Sequence, residues 1–70
     1  MNIKFSYHAK KRMTERGVKE KDIIEAIEFP SYTIKRGEEI EAYRNINNKN
    51  LKVVYVSKGK FIKIITIYYT

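Results

Sequence analysis

The sequence predicts an α+β domain: an N-terminal αα-hairpin packed on one face of a four-stranded antiparallel β-meander sheet. Two observations lead there. Apolar residues recur at helical spacing as far as Pro30, and at a spacing of two from there on. No linker, repeat or low-complexity segment divides the 70 residues, so they make one domain.

Residues 3–5 are too few to assign and read as a short strand or a tether. The first helix is expected over residues 6–16, opened by Ser6 as N-cap and stopped by Gly17. At about 100° per residue, Phe5, Ala9 and Met13 share a stripe that should face the core. Arg16 falls in that stripe, Arg12 falls on its edge, and His8 lies one turn before Arg12. The second helix is expected over residues 19–28. Ile23, Ile24 and Ile27 form its apolar side, and Asp22 is an acid near its start, where the helix dipole favours one. Pro30 ends it, because a residue preceding proline is pushed out of helical geometry. A charge in an apolar stripe is costly unless paired, so Arg16 is expected either to pin the helices through Asp22 or Glu25, or to emerge at the rim and hold a phosphate.

Strands follow over residues 31–36, 39–46, 51–57 and 61–69, split by Gly37, by the Asn47–Asn50 segment and by Lys58-Gly59. A two-residue turn at Lys58-Gly59 would pair Tyr55 with Ile62, Val53 with Ile64 and Leu51 with Thr66 on the core face. Lys52, Val54 and Lys63 would then lie on the opposite, mixed apolar and basic face, the candidate contact surface. A bulge would exchange the faces. A four-residue Asn47–Asn50 turn would aim Arg44 inward, so a bulge is expected in that hairpin.

Composition narrows the chemistry. With no cysteine and one histidine, no disulfide or transition-metal cluster is expected, and no cofactor is implied. No apolar run is long enough to span a membrane, and no signal peptide is recognisable, so a cytoplasmic protein is expected. The formal net charge is +7, and it is unevenly placed. Residues 1–18 hold five basic groups against one acid, residues 19–41 four against seven, and residues 42–70 six against none. If the two basic parts meet in space they form a positive surface suited to phosphate or to an acidic protein. The alternative is a set of solubilising lysines.

The segment Ser6-Tyr7-His8-Ala9, with Arg12-Met13 and Glu15-Arg16-Gly17-Val18, resembles the domain-of-unknown-function family 4258, grouped with the RelE/ParE-like toxins. Asp22-Ile23, Ile27, Pro30, Val53-Val54 and residues 64–68 extend the likeness over nearly the whole chain. The resemblance implies a RelE-like fold and a toxin paired with an antitoxin protein. Such toxins include ribonucleases that cut messenger RNA at the ribosome, and others that act on DNA gyrase. Metal-independent RNA cleavage needs a base, an acid and positive charge on the phosphate. His8 is the candidate base or acid, and Arg12 and Arg16 the phosphate clamp. Tyr68 could stack on a base or donate a proton, while Thr66, Lys52 and Lys63 could contact the substrate. Tyr32, Tyr43, Tyr55 and Tyr69 also fall on expected strands, where aromatics among lysines either stack on bases or pack across strands. The other reading is a non-catalytic RelE-fold module that binds RNA or a protein, since no second acid–base group accompanies His8.

Overall fold

The computed structural model describes residues 2–70. Its elements are β1 (Ile3–Phe5), α1 (Tyr7–Arg16), α2 (Glu20–Glu28), β2 (Tyr32–Arg36), β3 (Glu39–Ile46), β4 (Lys49–Ser57) and β5 (Ile62–Tyr69). They form one five-stranded mixed sheet, ordered β1-β5-β4-β3-β2, with both helices packed on one face. The class is α+β, and β2 to β5 form an antiparallel meander. The expected sheet of four strands is corrected to five, because Ile3, Lys4 and Phe5 pair in parallel with Ile62, Lys63 and Ile64.

Helix α1 begins where the Ser6 hydroxyl accepts the Ala9 N–H at 3.0 Å. Gly17 adopts a left-handed backbone at its end, with φ 66°. That turn brings the Val18 N–H onto the Met13 carbonyl at 3.0 Å and buries Val18 against the sheet. The short loop leads into α2, whose Ile23 and Ala26 are fully buried. Asp22 accepts a long, 3.4 Å bond from the Lys19 backbone N–H. Helix α2 ends at Phe29, immediately before Pro30.

The core lies between the helices and the inner face of the sheet. Ala9, Val18, Ile23 and Ala26 meet Leu51, Val53, Ile64 and Ile67 there, and Phe5, Met13 and Ile27 pack around them. Arg16 is not the expected pin. It is exposed and makes no ion pair among the described residues. Glu25 pairs with Arg44 instead, at 3.2 Å, and Arg44 also donates to the Phe29 carbonyl at 2.6 Å. Arg44 does face the helix side of the sheet, opposite Leu51. Its guanidinium reaches the rim, where it ties down the C-terminal end of α2.

Both long hairpins differ from expectation. Strands β3 and β4 turn tightly at Asn47-Asn48, which take φ of 53° and 66°. Asparagine tolerates that left-handed conformation, so Ile46 pairs directly with Lys49 and no bulge is present in this hairpin. The β4–β5 turn spans four residues, with the Lys58 N–H bonding the Phe61 carbonyl at 2.8 Å. Tyr55 therefore pairs with Ile64 rather than Ile62. The register then slips between Val54 and Tyr55, where Val54 pairs with Thr66 and Ile65 is left over as a bulge. The Ser6 hydroxyl donates to the Ile65 carbonyl at 2.7 Å, so one side chain both caps α1 and fastens the bulge. Beyond the bulge Ile67 and Tyr69 turn to the core, while Thr66 and Tyr68 turn to the outer face.

Candidate functional site

The outer face of the sheet, away from the helices, carries the alternate residues of every strand. Across it runs a continuous row. Tyr32 of β2 pairs with Tyr43 of β3, Tyr43 with Lys52 of β4, and Lys52 with Tyr68 of β5. The Tyr32 and Tyr43 rings stack at 4.4 Å between centroids, with 11° between their planes. The Lys52 ammonium lies over both neighbouring rings, 5.7 Å from Tyr43 and 5.5 Å from Tyr68. The row continues past the last strand. Strand β1 covers only Ile62–Ile64, so β5 is an open edge at Tyr68, and Arg12 of α1 reaches over it. The Arg12 guanidinium carbon is 5.2 Å from the centre of the Tyr68 ring.

Beside this row on the same face lies a second one, in which Ile34, Glu41, Val54 and Thr66 pair across the same four strands. Glu41 is only 7% exposed. It accepts from Arg36 Nε at 3.0 Å and from the Tyr43 hydroxyl at 3.2 Å, and Lys52 Nζ stands 3.6 Å away. Burial alone would raise its pKa. The charges of Arg36 and Lys52, with the bonds from Tyr43 and Arg36, outweigh that and lower it. Burial likewise works against the Lys52 charge, but Tyr43 and Glu41 prevail and its pKa is raised. Glu41 thus stays a carboxylate and Lys52 an ammonium through neutral pH. They supply fixed charge and are poor proton carriers.

A pH dependence of stability follows. A carboxylate whose folded pKa is depressed stabilises the fold fully above its unfolded value, about 4.3 for glutamate. That stabilisation is lost as pH falls through the folded value. The urea midpoint should therefore drop on acidification below that point, and the drop should be shallower in Glu41→Gln. An equal drop in both proteins would remove Glu41 from the account.

The structure brings together only some of the residues expected at the site. Arg12, Lys52 and Tyr68 are joined in one cluster. Lys63 is exposed on the same face but two rows further on, opposite Val56 and beside Lys4. Thr66 shares the face through the bulge; it is 8% exposed, and its hydroxyl has no hydrogen-bond partner among the described residues. His8 is exposed on α1, and Arg16 is exposed at the far end of that helix, one turn beyond Arg12. Gly17, Asp22 and Pro30 shape the helical hairpin and lie outside the cluster. Glu41 and Arg36 were not anticipated. Their signal was parity: Glu39, Glu41 and Tyr43 alternate with Ile40, Ala42 and Arg44, which puts an acid beside an aromatic on the outer side. No group of three or more metal-ligating side chains is present among the described residues, and no helix is long and apolar enough to cross a membrane.

A family model described as domain of unknown function (DUF4258) matches residues 5–69. The chain belongs to this family. No curated protein and no solved structure matches it. The match covers β1's last residue, both helices and β2 through β5, so every member of the outer-face cluster in this DUF4258 domain lies within it.

Proposed function

We propose that this chain is a RelE-like, toxin-type protein that binds RNA as a single strand on the outer sheet face. The observation that carries this reading is the Arg12–Tyr68–Lys52–Tyr43–Tyr32 row, which sets two cations and three aromatic rings side by side across the sheet face that no helix covers. Unpaired RNA offers what such a surface recognises: phosphates for the cations and bare base faces for the rings. An α-hairpin on one face of a meander, with the other face free, also suits a RelE-like fold. In that reading β1 is an added edge strand. Messenger RNA, free or on the ribosome, is the target class, and an antitoxin protein is the natural partner.

Cleavage is the further step this reading allows, and it falls to His8. Glu41 and Lys52 are locked in their charged forms, so only histidine is of a type suited to move protons near neutrality. Arg12 and Lys52 would stabilise the charge on the phosphate. The second reading, a non-catalytic module that binds RNA, is favoured by the same locking of Glu41 and Lys52.

One set of assays separates them. Purified protein is titrated with a labelled single-stranded RNA at several salt concentrations, then incubated with RNA with and without ribosomes. Salt-dependent binding with cleavage that disappears in His8→Ala supports the toxin reading. Binding that survives in His8→Ala, with RNA intact under every condition, supports the non-catalytic module. Absence of binding at low salt sinks both. An adjoining reading frame for a short antitoxin-like protein would add weight to the first.

A further inference from the structure

The outer-face row is not uniform along its length. Its cations, Arg12 and Lys52, gather at the β5 end, and its stacked rings, Tyr32 and Tyr43, gather at the β2 end. Tyr43 covers one face of the Tyr32 ring. Strand β2 is the edge of the sheet, so no further strand covers the other face, and Tyr32 is 51% exposed. An exposed, half-stacked tyrosine at a sheet edge is a ready platform for a planar group. Neighbouring strands lie about 4.8 Å apart, so Tyr32 and Tyr68, three strands apart, are separated by roughly 14 Å across the sheet. Glu41, two residues from Tyr43 along β3 on the same face, is neutralised by Arg36 and Lys52, so it does not repel an anion lying along the row.

Resting on the RNA-binding reading, we infer that Tyr32 is a base-stacking platform remote from the phosphate contacts. The site then takes an unpaired strand laid across β5, β4, β3 and β2, with phosphate at Arg12 and Lys52 and a base on Tyr32. A dinucleotide cannot reach both ends. A duplex cannot use both, because its bases are stacked on one another and paired. The ligand is therefore a single strand of at least about four nucleotides, at the lower end of the site sizes that small single-strand-binding folds show.

The test uses the full chain, labelled oligoadenylates of increasing length and fluorescence anisotropy at low salt. Affinity is expected to rise between a dinucleotide and an octanucleotide by more than the added charge explains. Tyr32→Ala should weaken the octanucleotide by about 5- to 150-fold, the range for losing one base–aromatic stack, and leave the dinucleotide unchanged. Tyr32→Phe should keep wild-type affinity, since stacking does not need the hydroxyl, and a blunt duplex of equal length should compete poorly. The inference is overturned if Tyr32→Ala binds the octanucleotide like wild type, or if the duplex competes as well as the single strand. Should the alanine variant fail to fold, the phenylalanine variant, the length series and the duplex competition still decide. Wild-type protein that binds no RNA at all would instead fell the reading beneath, a result distinct from intact binding with no contribution from Tyr32.

Discussion

Ile64→Ala is expected to remove a large fraction of the protein's stability and to lower its urea midpoint sharply. Ile64 is completely buried, and it sits where three parts of the fold meet. Its strand neighbours are Tyr55 of β4 and Phe5 of β1, its side chain belongs to the core beneath the helices, and its carbonyl accepts the Ser6 N–H at 3.0 Å. Removing a buried isoleucine side chain down to its Cβ destabilises by about 2–5 kcal/mol, through lost transfer energy and the cavity left behind. A chain of 70 residues has a total stability of roughly 4–10 kcal/mol. The loss is thus a large fraction of the whole. Urea unfolding followed by far-ultraviolet circular dichroism would measure it. A midpoint within error of wild type would mean that the core is not centred on this residue. Ile64→Val, which trims the side chain by one methylene, should lose only about 0.5–1.5 kcal/mol.

The second large effect is on binding. Arg12→Ala combined with Lys52→Ala should weaken single-stranded RNA binding on the order of 100- to 10,000-fold, taking about 1.5–3 kcal/mol for each charge-assisted contact. The slope of log affinity against log salt should also become shallower by about 1.4, because two phosphates no longer displace counterions at about 0.7 each on a single strand. Both changes should occur without loss of folded structure. Arg12 bridges α1 and Tyr68 only at the surface, and Glu41 retains Arg36 and Tyr43 when Lys52 is gone. Lys10→Ala with Lys11→Ala removes the same charge from the outward side of α1 and is the proper control. Equal losses in the two double variants would show a diffuse field in place of a site.

The helices and the meander were legible because each carries its own period. Ser6, Gly17 and Pro30 mark boundaries by local backbone chemistry, and local chemistry is what a sequence displays. Strand β1 was not legible in the same way. Three residues have no period, and their partners on β5 lie at the other end of the chain. The faces of β4 were read correctly, and those of β5 only as far as Ile64. Past the bulge at Ile65, one extra residue moved Thr66 and Tyr68 outward and Ile67 and Tyr69 inward. Nothing in the string IKIITIYY distinguishes the two arrangements, because apolar residues occupy both parities. The bulge is fixed by a distant hydroxyl, that of Ser6. Among the candidate site residues, Arg12, Lys52 and Tyr68 were named separately, and the sheet register is what joins them. For Arg16 a helical wheel allows both a pin and an exposed rim position, and only the placement of the helix on the sheet decides between them. Glu41 was overlooked because a single acid on a strand looks like a solvated one until its three partners are placed around it.

Ser6 and Ile65 are 59 residues apart, yet the serine's N–H and hydroxyl fasten the start of α1 to β5. Helix α1 has a local cap and a local stop, but its ten residues are too few to hold a helix without packing. It has nothing to dock on until β5 is in place against β4, and closing so long a loop is slow. Arg12 meets Tyr68 only at that moment. Before β5 docks, the chain therefore lacks the joined Arg12–Tyr68–Lys52 cluster. The outer-face cluster is thus a product of the longest closure in the fold, and a chain caught before that step would have its cations and rings apart.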